Sequence, residues 1–142
     1  WKKLADRLGI YFDEKINNRC RGVSRLDSLN IILEKSDRTF SAEEKLEFAQ
    51  EKNLAYQEFL LTMTKDDVTK EVRETLEFLK SHGVKVAIGS SSKNAKLILQ
   101  QVELLNSFDA ISDGNNISKS KPNPEVFLKA AEMLNIEPKF CA

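Results

Sequence analysis

The chain of 142 residues carries 22 basic and 22 acidic side chains, so its formal net charge at neutral pH is zero. This balance argues against a general nucleic-acid or anionic-membrane binder, because both need an excess of positive charge. Hydrophobic residues make up 41% of the chain, which is enough for a buried core and excludes a disordered tail. No apolar run approaches the ~20 residues needed to span a bilayer. The two cysteines, Cys20 and Cys141, lie far apart and are typical of reduced thiols in a cytoplasmic protein.

The first part of the chain carries apolar residues at helical spacing. The pattern predicts a helix over residues 1–8 that ends at Gly9, and a second short helix over residues 13–20. Capping-box patterns at Ser24 and Ser41 each begin a further helix, and the second of these runs to about residue 63. Everything up to this point is therefore expected to be helical.

The character of the chain changes near residue 65. The predicted order is then a helix over 72–80, a strand over 84–88, a helix over 94–105, a strand over 108–111 and a helix over 124–134. Strand and helix in alternation are typical of a parallel sheet with crossover helices. The sequence therefore predicts an all-helical part, residues 1–65, and a partial α/β part, residues 66–142.

A hydroxyl-rich loop follows the first predicted strand. Ligands of open α/β sheets bind beyond the carboxyl ends of the strands, where residues 89–94 (GSSSKN) are expected to lie. Small residues let the backbone approach an anion closely, while hydroxyls and the first N–H groups of the next helix act as donors. The pattern fits a phosphoryl-binding loop, and it also fits a plain strand-to-helix turn capped by Ser92.

A lysine-proline loop follows the second predicted strand, over residues 119–124 (KSKPNP). Pro122 stiffens this loop, so Lys121 can hold its ammonium group at a fixed place. A solvated surface turn is the alternative interpretation. The two loops follow successive parallel strands, however, and we therefore expect them to converge on one edge of the sheet.

Two arginines, Arg21 and Arg25, flank the turn formed by Gly22, Val23 and Ser24 in the helical part. A guanidinium group matches the oxygens of a phosphate in a bidentate way. Positive charge is unfavourable at a helix N-terminus, which favours a ligand-binding role over a simple charged helix start.

These segments resemble the haloacid dehalogenase (HAD) superfamily, and within it the β-phosphoglucomutases. The resemblance rests on residues 21–25 with Ser28, residues 86–94, residues 119–127 and Lys52. It spans essentially the whole chain. The fold it implies is α/β, with an incomplete HAD-like, Rossmann-type core of parallel strands and an all-helical cap domain.

The resemblance also implies roles for individual residues. Ser90 would bind the transferring phosphoryl group, and Lys121 would neutralise it, as the catalytic residues. The remaining implied residues would bind the substrate and its other phosphate: Arg21, Gly22, Val23, Ser24, Arg25, Lys52, Ser92, Lys93 and Asn94.

The implied activity is a phosphotransfer that interconverts β-glucose 1-phosphate and glucose 6-phosphate through a bisphosphate. Mg²⁺ is the implied cofactor, but the family's Asp-x-Asp motif and its later acidic pair have no counterpart in residues 1–142. No metal ligand is therefore expected in this chain. We expect an inactive fragment of a longer cytoplasmic protein, monomeric when complete, that binds a small-molecule sugar phosphate and neither nucleic acid nor membrane.

Two alternatives stay open. The first is a sugar phosphatase of the same superfamily, and the cap residues Arg25 and Lys52 favour the mutase over it. The second is a non-catalytic fragment or scaffold.

Overall fold

The computed structural model describes every residue from Trp1 to Ala142. Its helices are α1 (Lys2–Arg7), α2 (Glu14–Arg19), α3 (Arg25–Leu33), α4 (Ala42–Leu60), α5 (Lys70–Ser81), α6 (Ala95–Gln101) and α7 (Glu125–Leu134). Two short strands, β1 (Ala87–Gly89) and β2 (Ala110–Ser112), form the sheet. Short 3₁₀ turns cover Lys65–Asp67, Leu105–Ser107 and Pro138–Phe140.

The chain divides into two compact units, Trp1–Glu58 and Phe59–Ala142. The division falls near the end of α4, whereas the sequence changes character near residue 65. No helix in the structure combines the length and the apolar character that crossing a membrane would require.

The first unit is helical, and the polar residues that precede its helices fix where they begin. The Asp13 carboxylate accepts a hydrogen bond from the Ile16 N–H at 2.8 Å and caps α2. At α4, Ser41 N–H donates to the Glu44 carboxylate at 2.8 Å and Glu44 N–H donates to Ser41 Oγ at 3.2 Å, which is the predicted capping box. The core of this unit consists of buried side chains that these helices and loops supply: Leu4, Ala5, Ile10, Ile16, Leu29, Ile32, Leu33 and Ala49.

The second unit is built around the two parallel strands. Ala87, Ile88 and Gly89 lie opposite Ala110, Ile111 and Ser112 in the register of the sheet. Helix α7 packs on both strands. It approaches so closely at Gly89 that an added Cβ atom would lie 3.0 Å from the Phe127 ring. A small cluster of Leu99, Val102 and Leu104 forms a further part of the core.

The first strand begins later than the sequence predicts. Gly83 has a left-handed φ of 72°, and Val84 N–H donates back to the Leu79 carbonyl at the end of α5. This helix-terminating turn uses the N–H of Val84, which is therefore unavailable to the sheet. The strand starts at Ala87, and its residues are half-buried.

The last described residues form a turn: Pro138–Phe140 is a short 3₁₀ helix. Pro138 has no N–H to donate to a ladder, and the N–H of Cys141 is used within the turn by the Pro138 carbonyl.

Candidate functional site

The hydroxyl loop after β1 is locked by its own side chains. Ser90 Oγ accepts a hydrogen bond from Ser92 N–H, and Ser92 Oγ accepts one from Asn94 N–H, each at 3.1 Å. Ser90 N–H donates to the Ser112 carbonyl at 2.9 Å, which ties the start of the loop to the end of β2. Because each hydroxyl oxygen accepts a backbone bond, the O–H hydrogens of Ser90 and Ser92 are directed away from these N–H groups. The predicted residues 90–94 therefore share one ordered turn.

The same arrangement leaves two backbone donors of the loop unused. The N–H groups of Ser91 and Lys93 make no hydrogen bond in the structure, whereas those of Ser90, Ser92 and Asn94 all do. Ser91 is only 9% exposed, so its unpaired N–H lies in a largely desolvated place. An unpaired donor of this kind costs stability unless a ligand satisfies it. The sequence analysis placed Ser91 in the predicted loop but gave it no individual role, although hydroxyls that bond the N–H two residues on leave alternate N–H groups free.

The lysine-proline loop meets the hydroxyl loop directly. Lys121 N–H donates to Ser91 Oγ at 3.3 Å, and Lys121 Nζ lies 3.5 Å from the Gly89 carbonyl oxygen. The ammonium group also lies 5.8 Å from the centre of the Phe127 ring. The Lys121–Pro122 peptide bond is cis. The structure thus brings Lys121 and the residues 90–94 together at one edge of the sheet, which we call the loop edge.

Glu125 braces the lysine-proline loop, and the sequence prediction missed this residue. Its carboxylate accepts hydrogen bonds from the N–H groups of Ser118 and Lys119, both at 2.7 Å, and from Ser118 Oγ at 3.0 Å. Glu125 N–H in turn donates to Asn123 Oδ1 at 3.0 Å. The hydrogen bond from Ser118 N–H makes the largest contribution to a lowered pKa of the Glu125 carboxyl group.

The Glu125→Gln variant is expected to be less stable than the wild type at neutral pH, and the difference should vanish in acid. A carboxyl group with a lowered folded-state pKa stabilises the fold above its ordinary pKa of 4.5 and loses that contribution as the pH falls through the folded-state value. Thermal unfolding of both proteins from about pH 7 to about pH 3 measures this. Glu132→Gln, in an exposed pair with Lys129, is the control and should change little. A stability difference that persists at about pH 3 would show that the ionised Glu125 carboxylate does not stabilise the loop.

In the helical unit, Arg25 and Lys52 are two half-buried cations that interact electrostatically. The Lys52 ammonium lies 4.0 Å from the centre of the Tyr56 ring and 5.2 Å from that of Trp1. Burial lowers the pKa of Lys52, and the positive charge of Arg25 lowers it further. Burial also lowers the pKa of Arg25. Within this unit, neither side chain forms a salt bridge with a carboxylate. Half-buried like charges without an acidic partner form a site that an anion would stabilise.

The other predicted residues of this unit occupy the turn before α3. Gly22 has a left-handed φ of 77°, and Arg21 and Gly22 are exposed, whereas Val23 is half-buried. Ser24 caps α3: its hydroxyl accepts from Asp27 N–H at 3.2 Å and donates to the Asp27 carboxylate at 2.6 Å. The Ser24 hydroxyl is thus engaged in the cap, and the turn places Arg25 at the first position of the helix.

The described residues do not fit a magnesium site. No three side chains of the types His, Cys, Asp and Glu come together anywhere between Trp1 and Ala142. Asp113, at the end of β2, has a buried carboxylate oxygen without a hydrogen-bond partner, but a single carboxylate does not supply the several oxygen ligands that Mg²⁺ requires.

The chain is similar to known proteins over its whole described length. A family model of haloacid dehalogenase-like hydrolases matches residues 2–142. A β-phosphoglucomutase of Bacillus subtilis is 36% identical, with the match covering 100% of this chain and 64% of the relative. A phosphorylated carbohydrates phosphatase of Thermotoga maritima is 30% identical, covering 98% of this chain and 63% of the relative.

A solved structure is also similar to this chain. The crystal structure of a β-phosphoglucomutase from Clostridium difficile superimposes with a TM-score of 0.92 at 38% identity, covering 98% of this chain and 63% of that one. The chain therefore spans slightly less than two thirds of the length of these relatives.

Proposed function

The chain belongs to the haloacid dehalogenase-like hydrolases, and we propose that the protein transfers a phosphoryl group within a hexose phosphate, interconverting β-glucose 1-phosphate and glucose 6-phosphate through a bisphosphate. One observation carries this proposal. Unpaired backbone donors, the Ser90 hydroxyl and the Lys121 ammonium group converge at the loop edge. Donors and a fixed cation in this arrangement suit a phosphoryl group, whose transfer depends on positioning and electrostatic stabilisation.

At the loop edge, we assign Ser90 and the N–H of Ser91 the role of donating hydrogen bonds to the transferring phosphoryl group. Lys121 offsets the negative charge that collects on its oxygens during transfer. Its backbone bond to Ser91 and its contact with the Gly89 carbonyl keep the ammonium group beside the hydroxyl loop. We assign these residues no nucleophilic role.

A mutase acting through a bisphosphate must hold a second phosphate, and we assign that task to cations of the helical unit. Arg25 is the main candidate in the helical unit, because it is half-buried and lacks a carboxylate partner there. Lys52 contributes positive charge in the same unit, and Arg21 with the turn at 22–24 stays a prediction for substrate binding there. Ser92, Lys93 and Asn94 stay predictions for substrate binding in the α/β unit. Mg²⁺ dependence, a cytoplasmic location and a monomeric state stay predictions.

A phosphatase that acts on phosphorylated sugars is the second candidate, and the 30% identity with the Thermotoga maritima phosphatase favours it. Phosphatase and mutase differ in the acceptor, which is water in one case and sugar in the other. The paired cations Arg25 and Lys52 favour the mutase, because a phosphatase needs to hold only one phosphate.

Product analysis of the full-length protein tests the proposal. We expect β-glucose 1-phosphate, with Mg²⁺ and a trace of glucose 1,6-bisphosphate, to yield glucose 6-phosphate at a rate well above the release of inorganic phosphate. Phosphate release without isomerisation would support the phosphatase instead. Neither product would favour the non-catalytic scaffold.

A further inference from the structure

The turn after β2, residues 113–116, lies against the hydroxyl loop. Gly114 N–H donates to the Ser92 carbonyl at 3.2 Å, and Asn115 Nδ2 donates to the Lys93 carbonyl at 3.1 Å. Two successive carbonyl groups of the loop are thus held by two successive residues of the turn. Neither Gly114 nor Asn115 belongs to the residues assigned above to phosphate binding.

The hydrogen bond from Gly114 to the Ser92 carbonyl determines where the N–H of Lys93 points. In a planar trans peptide, the carbonyl oxygen and the following N–H project in opposite directions. Holding the Ser92 carbonyl towards Gly114 therefore turns the unpaired N–H of Lys93 away from that hydrogen bond. The orientation of this donor is thus fixed from outside the loop.

Gly114 has a steric reason to be glycine. A Cβ atom added there would lie 2.6 Å from the Ser91 carbonyl oxygen and 3.0 Å from the Lys93 nitrogen. Both of these atoms are backbone, so they could move only if the loop itself moved. Any larger residue at position 114 would displace the peptide group that carries the unused Lys93 N–H, together with the peptide group before it.

The turn itself is rigid, and part of it is energetically costly. Asp113 Oδ1 accepts from Asn115 N–H, and Asn116 Oδ1 accepts from Asp113 N–H, both at 2.9 Å. Asp113 is only 1% exposed, yet its other carboxylate oxygen has no hydrogen-bond partner. A buried unsatisfied oxygen destabilises a fold and points to a constraint other than stability.

We propose that Gly114 and Asn115 are positioning residues, which set the orientation of the Lys93 N–H group for an incoming phosphate. This inference rests on the proposed function, since it assumes that phosphate binds at the loop edge. It goes beyond that function because it assigns the orientation of a phosphate-binding donor to residues outside the hydroxyl loop. Gly114 acts through the Ser92 carbonyl and by its lack of a side chain. Asn115 holds the Lys93 carbonyl and so anchors Lys93 from its other peptide group.

Asn116 provides a matched control within the same turn. It is exposed, like Asn115, and its side chain accepts from Asp113 N–H and Ser112 Oγ and donates to the Ile111 carbonyl. None of these partners lies in the hydroxyl loop. Asn116→Ala should therefore lower stability at least as much as Asn115→Ala while leaving the loop in place.

The test is a titration of the ¹⁵N-labelled full-length protein with inorganic phosphate, followed by NMR, together with melting temperatures. In the wild type, phosphate should shift the amide signals of Ser91 and Lys93. In Asn115→Ala the Kd should rise about fivefold to tenfold, as expected for the loss of one orienting hydrogen bond. Gly114→Ala should weaken binding further, and Asn116→Ala should keep the wild-type Kd.

The outcomes separate the two proposals. Unchanged affinity in Asn115→Ala, with normal binding by the wild type, overturns the positioning role and leaves the proposed function intact. Equal losses in Asn115→Ala and Asn116→Ala also overturn it, because they would follow stability alone. A wild type whose Ser91 and Lys93 signals do not respond to phosphate overturns both proposals. If Gly114→Ala does not fold, Asn115→Ala and its control Asn116→Ala still test the positioning role.

Discussion

Replacing Lys121 with methionine is expected to slow phosphoryl transfer by about a thousandfold or more, with little loss of stability. Methionine keeps most of the length of the side chain but removes the charge that we assign to the transferring phosphoryl group. Removing one donor or cation aimed at developing charge in a transition state typically costs ~10²–10⁵ in kcat. The measurement is the rate of glucose 6-phosphate formation by the full-length protein at saturating substrate.

Lys119→Met is the matched control for this variant. Lys119 lies on the same loop, two residues away, and its backbone N–H is held by Glu125 while its side chain is exposed. The control should keep its activity within about twofold, since an exposed charge interacts weakly across water. Comparable losses in both variants would show that general loop charge, rather than the fixed ammonium group of Lys121, is responsible.

Replacing Arg25 with alanine is expected to lower kcat/KM for isomerisation about a hundredfold. The loss of two charge-assisted hydrogen bonds to a phosphate accounts for an effect of this size. Hydrolysis of a small monophosphate such as p-nitrophenyl phosphate should change much less, because a substrate with one phosphate does not use Arg25. Steady-state kinetics with both substrates measure the difference.

Arg19 supplies the control for the Arg25 variant. It lies in the same helical unit, but its guanidinium group forms an exposed salt bridge with Glu34 at 2.8 Å. Arg19→Ala should leave both activities near the wild-type level. If Arg25→Ala reduced isomerisation and simple hydrolysis by the same factor, Arg25 would not be specific for the second phosphate, and the phosphatase would become the better candidate.

Local signals in the sequence predicted most of the fold. The capping box at Ser41, the helix start at Ser24 and the glycine at position 83 depend on contacts within a few residues. The box at Ser41 and the left-handed Gly83 are confirmed, whereas Ser24 caps its helix through its hydroxyl without the reciprocal backbone bond. The fold class is confirmed as well, since the comparisons show a Rossmann-like core with a helical cap. The start of β1 was wrong because the helix-terminating turn at Gly83 uses the N–H of Val84.

The finer features of the candidate site depend on contacts between distant parts of the chain. The hydroxyl loop and Lys121 are each visible in sequence, but the bond from Lys121 N–H to Ser91 Oγ joins residues 30 positions apart. The contact between Asn115 and the Lys93 carbonyl spans 22 positions. Periodicity and capping rules describe neighbours along the chain, so they could not reveal these braces.

We expect a phosphate to bind at the loop edge, where Ser90, Ser91 and Lys121 meet. A crystal structure of the full-length protein with inorganic phosphate tests it most directly. We expect a tetrahedral anion within hydrogen-bonding distance of Ser90 Oγ, the Ser91 N–H and Lys121 Nζ. An anion bound elsewhere, with the loop edge empty and the Lys121 ammonium group turned to solvent, would contradict it.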